Sequence, residues 1–393
     1  MNNFEQRIEE IDKDTKFRHY TKDLIRRHSD KKHSILPYEI DVRDVYSILK
    51  DFNVNENQKY VVFFNFEFVV VLKKLGISLN NIIFISGERK FYGFIRNSFG
   101  KFGLKTILFD TKQYQKYKSR KKWKNYIMKK IGKLNEYVVV GNIPFTTKNE
   151  NSQKGMINIG NDFIKLMNQF KKSCYILHAK YDSSTFQNEI IKNKNLRKIT
   201  NHSKPIFDIN SNIYTCTVLI DSEYESDYFT YSTNIETKEI KLDKKYKLAL
   251  GRTIDDTISI DNSKLTLGDL WKNGNRYLNQ LTNSGRFKVI KALGSYKTDE
   301  FEWTYDDFED TSFGKWKVIL PTKGGGKAVK IASPEYSVCF SVVSLEVESE
   351  DIAKLLRNWI VENDILSYLN SIRTSGTNSK ALLSKIVIPD GII

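Results

Sequence analysis

The chain has 393 residues, 40% of them hydrophobic and 28% charged, a globular composition with length enough for two domains. Lys and Arg number 63 against 47 Asp and Glu; the resulting charge of +16 favours a polyanionic partner, and nucleic acid is the usual one. Three widely spaced cysteines and five histidines without ligand spacing exclude a disulfide scaffold and give no metal site. The opening residues MNNFEQRIEEIDKD are charged throughout, and the longest apolar run, 61–72, is broken by Asn65 and Glu67. Neither a signal peptide nor a membrane span is expected, which makes the cytoplasm the expected compartment.

Residues 1–27 carry apolar side chains at helical spacing, and Asp41 is placed to cap a second helix over 42–52; together with the polar loop after it, 1–57 reads as a helical lead-in. An alternation follows. Buried strands are expected at 60–64, 82–85, 106–109, 137–140 and 174–178. Helices are expected between them at 66–75, 91–99, 121–131 and 159–170, the first three ending at Gly76, Gly100 and Gly132. A Lys/Asn-rich helical or loop stretch then leads to a hairpin of 206–208 and 213–220. Five β-then-α units and a terminal hairpin make an α/β domain over 58–240, with a doubly wound, mostly parallel sheet and an antiparallel hairpin edge. From about Leu242 strands shorten and turns multiply, so 241–393 reads as a second, α+β domain. Within it 333–346 is expected to form a strand pair around Cys339, and 352–369 one amphipathic helix.

The most informative segment is YVVVGNIPFT, residues 137–146. Four β-formers run through a glycine into Asn142, Ile143, Pro144 and Phe145. In an open α/β sheet, ligands bind just past the carboxyl ends of such strands. An amide, a stiff turn with its carbonyl and a ring face are thus presented together, which suits a flat base bearing an exocyclic amino group. Two acids occupy comparable places: Glu88 after the second strand and Asp110 after the third. A carboxylate there can accept a pair of hydroxyl or amino hydrogen bonds.

The NIPF segment resembles the Asn/Asp/Ser-Pro-Pro-aromatic motif of the amino-methyltransferases, and the sheet is similar to that of the class I S-adenosylmethionine-dependent methyltransferases. The resemblance implies that Asn142 and the Ile143 carbonyl orient the target amine, that Pro144 stiffens the turn, and that Phe145 stacks on an extruded base. It implies S-adenosylmethionine as cofactor, with Glu88 on its ribose and Asp110 on its adenine, and Asn142 beside it. The family's Gly-rich first loop is replaced by Phe64, Asn65 and Glu67, which would face the methionine part. Pro37, with Leu36 and Tyr38, stands where related enzymes carry a lid motif. The motif order resembles that of γ-type N6-adenine DNA methyltransferases of restriction–modification systems and phages. That implies site-specific methylation of a flipped-out adenine in double-stranded DNA, target recognition by 241–393, and a cognate restriction endonuclease as a possible partner. NIPF also resembles the motif of rRNA adenine dimethyltransferases, and the missing glycines fit a nucleic-acid-binding relative that has lost the cofactor. No metal is implied.

Residues 112–133 hold ten Lys or Arg and no acid, interleaved with Tyr114, Tyr117, Trp123 and Tyr126. Lys121, Lys122 and Lys124 are the candidate phosphate contacts there. Arg286, Lys323, Lys327 and Arg373 are the candidates in the second domain, along with Lys288 and Lys291.

Overall fold

A computed structural model describes residues 40–87, 89–109, 120–143, 147–148, 156–157, 159–181, 183–202, 206, 214–242, 247–272, 280–293, 301–307, 312–322, 329–372 and 378–393. The amphipathic pattern of 1–27 and the segment around Pro37 lie outside these residues. The chain divides into two compact units, one of 1–179 with 188–242, the other of 180–187 with 243–393.

In the first unit, α1 (Val42–Lys50) starts at Asp41, whose carboxylate accepts the Arg43 N–H at 3.0 Å. Then come β1 (Lys59–Phe63), α2 (Phe66–Lys74), β2 (Ile82–Ser86), α3 (Arg89–Phe99), β3 (Lys105–Leu108), α4 (Arg120–Ile131) and β4 (Tyr137–Asn142). A two-residue pair, β5 (Thr147–Lys148) with β6 (Met156–Ile157), precedes α5 (Ile159–Met167) and β7 (Lys172–His178). The sheet is completed by β8 (Leu196–Asn201), β9 (Thr215–Asp221), β10 (Tyr228–Ser232) and β11 (Thr237–Lys241). Its order is β11-β10-β8-β9-β7-β4-β1-β2-β3. Strands β3, β2, β1, β4 and β7 are parallel to one another, and β9 runs antiparallel between β7 and β8. The apolar runs of β1, β2 and β4 are buried on both faces, as central parallel strands require.

Three expectations are corrected here. The strand that pairs with β9 is not at 206–208: Ile206 is irregular and 207–208 lie outside the described residues, whereas Leu196–Asn201, read as helical or loop, is the sixth strand. Its Lys and Arg occupy the less buried positions of a half-covered strand, which disguises it. The antiparallel hairpin edge exists, but it is built from β10 and β11, which the sequence reading did not identify as strands. Strand β9 is itself interior.

The second unit contains β12 (Lys247–Ala249) paired with β13 (Ile258–Ile260), then a short helix α6 (Leu267–Leu270) and β14 (Trp271–Lys272). Next come β15 (Phe287–Ala292), β16 (Glu302–Asp306), β17 (Trp316–Leu320), β18 (Lys330–Ala332), β19 (Tyr336–Val338) and β20 (Val343–Val347). Helices α7 (Glu350–Glu362), α8 (Ile365–Ile372) and α9 (Lys380–Leu383) follow. Besides the β12-β13 pair, the described residues form a four-stranded sheet, β14-β20-β17-β18, and a three-stranded one, β16-β15-β19. Strands β19 and β20 flank Cys339 as expected but join different sheets rather than each other. The helix expected over 352–369 is two helices, separated at Asn363 and Asp364, the latter in a left-handed turn at φ +49°. Ala353, Leu356 and Ile360 of α7 pack with Val318, Leu320, Val343 and Leu345 in this unit's core.

Candidate active site

Strand β4 lies between β1 and β7. The last β1 pair is Phe63 with Gly141, and the last β7 pair is Asn142 with Ile176. Asn142 therefore stands one residue beyond β1, still held in register by β7. The Ile143 N–H donates to the Ile176 carbonyl at 2.9 Å and fixes the exit of the strand. Gly141 sits at φ +145°, and a β-carbon there would stand 2.4 Å from the Phe63 carbonyl oxygen. Only glycine lets the two backbones close at this point. An isolated glycine in a strand pattern was the signal for such an approach.

Asn142 is 2% exposed, and its Oδ1 is buried with no hydrogen-bond partner among the described residues. A buried amide oxygen left unpaired costs about 1–3 kcal/mol, so its retention asks for a reason. It stands at the carboxyl end of a central strand.

Strands β1 to β4 are mutually parallel, so the segments that follow each of them leave from one edge of the sheet. The Phe64 N–H donates to Ile85 at 2.9 Å and the Phe109 N–H to Ser86 at 2.8 Å, which draws the exits of β1, β2 and β3 together. Glu88 and Asp110 follow these exits but lie outside the described residues, as do Pro37, Pro144 and Phe145.

The exit of β1 is unlike a Gly-rich loop. Phe64 and Asn65 alone connect β1 to α2, and Glu67 lies in the first helical turn rather than in the loop. Phe64 adopts φ +67°, and the Asn65 N–H folds back onto the Phe63 carbonyl at 2.9 Å, a tight three-residue turn that is strained for a residue with a side chain. The Phe64 ring packs edge-on against Phe63, Phe109 and Phe163 at 5.7, 6.0 and 5.2 Å. Phe109 and Phe163 are 5.3 Å apart, and every ring of the four is buried. Glu67 Oε1 accepts the Ile40 N–H at 3.2 Å, and Oε2 accepts the Asn65 amide at 3.4 Å. Asn142 thus offers an amide oxygen to an amine, and the end of β1 carries a buried ring cluster in place of a glycine-rich loop.

Asn142, Ile176, Thr217 and Thr200 form one row across β4, β7, β9 and β8, so they share a face. On that face a groove of about 700 Å³ is lined by α1 and by Lys198, Thr200, His202 and Thr217. The His202 ring nitrogens lie 2.9 Å from the hydroxyls of Thr215 and Thr217, and burial takes its pKa down to about 4. Of the predicted cations, Lys124 is half-buried on α4 and Arg286 is exposed. The side chains of Lys121 and Lys122, and all of Lys323, Lys327 and Arg373, lie outside the described residues. No His, Cys, Asp and Glu cluster among the described residues has the makings of a metal site, and no described helix is long and apolar enough to cross a membrane.

A parallel β3-β2-β1-β4-β7 sheet with a reversed strand inserted before β8, and an Asn-Ile exit from its central strand, decides the architecture. The fold is that of the class I methyltransferases. No family model matches the sequence, and no curated protein matches it. Solved structures similar to the chain include the type IIL restriction–modification enzyme MmeI in complex with DNA, at 8% identity and a TM-score of 0.47 over 88% of this chain and 65% of that one. They also include the type IIG restriction endonuclease BpuSI, at 10% and 0.42 over 94% of this chain and 60% of that one. A third is the type I restriction–modification methyltransferase subunit from Streptococcus thermophilus, at 11% and 0.36 over 50% and 47%. The chain spans between 47% and 65% of the length of these three proteins. Scores at this level carry no argument about substrate.

Proposed function

We propose that the chain is a nucleic-acid methyltransferase acting on the N6 amine of adenine in double-stranded DNA. The observation that supports this reading is the buried, unpartnered Oδ1 of Asn142 at the carboxyl end of the central strand. An adenine amine is a poor nucleophile because its lone pair is delocalised into the ring. An amide oxygen and the Ile143 carbonyl, each accepting one of its protons, favour a more tetrahedral nitrogen and fix its direction of attack. Reaching that amine in a duplex requires extruding the base, at a cost of a few kcal/mol. Phe145 stacking offsets part of it, at roughly 1–3 kcal/mol per base. S-adenosylmethionine, when bound, supplies an electrophilic methyl group. Residues 241–393 are assigned target recognition, and a restriction endonuclease is the partner that this reading brings with it.

A second reading is favoured by the ring cluster at β1: a relative that grips an extruded base without a methyl donor. One experiment separates the two. Wild-type protein and Asn142→Ala are incubated with S-adenosylmethionine and either duplex DNA or structured RNA, and the nucleosides are analysed by mass spectrometry. N6-methyladenine formed in DNA by the wild type alone supports the first reading, and the same product in RNA alone moves the substrate to RNA. DNA binding with no cofactor binding and no methylated nucleoside supports the second.

A further inference from the structure

We infer that the second unit holds a nucleic-acid site of its own, a cleft that stacks unpaired bases. The cleft measures about 940 Å³ and lies between the β16-β15-β19 sheet and helix α7. Register puts Tyr305, Lys288 and Tyr336 on one row of that sheet, and Trp303, Ile290 and Val338 on the next row of the same face. Lys288 Nζ stands 5.5 Å from the Trp303 ring centre and 5.5 Å from that of Tyr336. Phe301 lies 5.9 Å from Tyr336, and Lys330 Nζ stands 5.5 Å from Phe301. The rings of Trp303, Tyr336 and Phe301 therefore line one wall, with Lys288 set between Trp303 and Tyr336 and Lys330 beside Phe301. The opposite wall is the outer side of α7, where Glu350, Lys354 and Arg357 follow at helical spacing.

The occupant follows from this set of rings with cations beside them. Nucleic-acid strands alternate flat bases with anionic phosphates, and sequence-tolerant single-strand sites pair aromatic platforms with cations. The cations here are Lys288, Lys330, Lys354 and Arg357. Glu335 stands 3.7 Å from Lys288 and Glu350 2.8 Å from Lys354, while the buried Lys330 ammonium donates to the Leu293 carbonyl and Arg357 Nε to that of Val329. Trp303 is 39% exposed, a large indole left half in water where a base would cover it. The inference takes only its class of ligand from the reading above; Asn142 and the methyl donor have no part in it.

The test is the affinity of full-length protein for a fluorescent oligothymidylate of about twelve nucleotides, measured by anisotropy. Trp303→Ala should weaken binding roughly 5- to 100-fold, and Trp303→Phe should restore most of it. A change of less than about twofold in Trp303→Ala overturns the site. A second measurement does not depend on a variant: a bromodeoxyuridine-substituted strand, irradiated with the wild-type protein, should crosslink within 301–305 or at Tyr336, and crosslinks found only elsewhere overturn the site as well. Failure here with methylation of duplex DNA intact removes the cleft and leaves the proposed enzyme. Absence of binding to any nucleic acid removes both.

Discussion

Gly141 and Phe63 are paired across β4 and β1 so closely that a β-carbon on the glycine would stand 2.4 Å from the phenylalanine's carbonyl oxygen and 2.8 Å from its nitrogen. That contact sets where β4 ends and hence where Asn142 is presented. Gly141→Ala must push the strands apart and also hold alanine at φ +145°. We expect a loss of about 1–3 kcal/mol in urea denaturation. The methylation or DNA-binding defect should exceed what that loss explains, because the strand exit moves. Unchanged stability would mean that β4 has room to shift.

Asn142→Ala should separate stability from function. Removing an unpartnered buried oxygen relieves a desolvation cost of about 1–3 kcal/mol, so the melting temperature should hold or rise while methyl transfer disappears. A clear drop in melting temperature would assign the amide a structural role instead.

Phe64 offers a comparison of two substitutions that remove the same ring. Both lose buried aromatic packing, but Phe64→Gly accepts φ +67° and Phe64→Ala does not. The glycine variant should be the more stable of the pair by about 1 kcal/mol. It should also bind S-adenosylmethionine at least tenfold more tightly than the wild type in calorimetry, since the ring cluster is opened where the donor's methionine part is expected. Equal affinity in the two proteins would show that the ring does not occlude the donor.

His202 predicts a pH dependence. Its folded pKa, about 4, lies below the ordinary histidine value of 6.5 because burial disfavours the imidazolium. The unfolded chain therefore binds the extra proton first. The stability that neutral His202 contributes is complete above pH 6.5 and is lost as pH falls toward 4. The shift corresponds to about 3 kcal/mol. Denaturation midpoints at neutral pH and near the lower value should fall further in the wild type than in His202→Gln. Parallel losses in both proteins would place the acid sensitivity elsewhere.

The sequence by itself determined the alternation of β1 to β4 and β7 with their helices, and the Asn142-Ile143 exit, because those signals are local: buried apolar runs of strand length, glycine stops, an amide before a turn. The break between α7 and α8 falls at Asn363-Asp364, inside the single helix expected over 352–369. Strand β8 stayed hidden, since its lysine and arginine sit on the less buried positions and its identity depends on pairing with β9, which arrives later in the chain. The tertiary structure alone decided what fills the end of β1. Phe63, Phe64, Phe109 and Phe163 are brought together from three separate segments, and the left-handed backbone of Phe64 is tolerated only because the strands and rings around it hold it there. A residue pattern specifies an element through neighbours along the chain, whereas an open or filled cleft is set by groups that meet only after the sheet has closed over them.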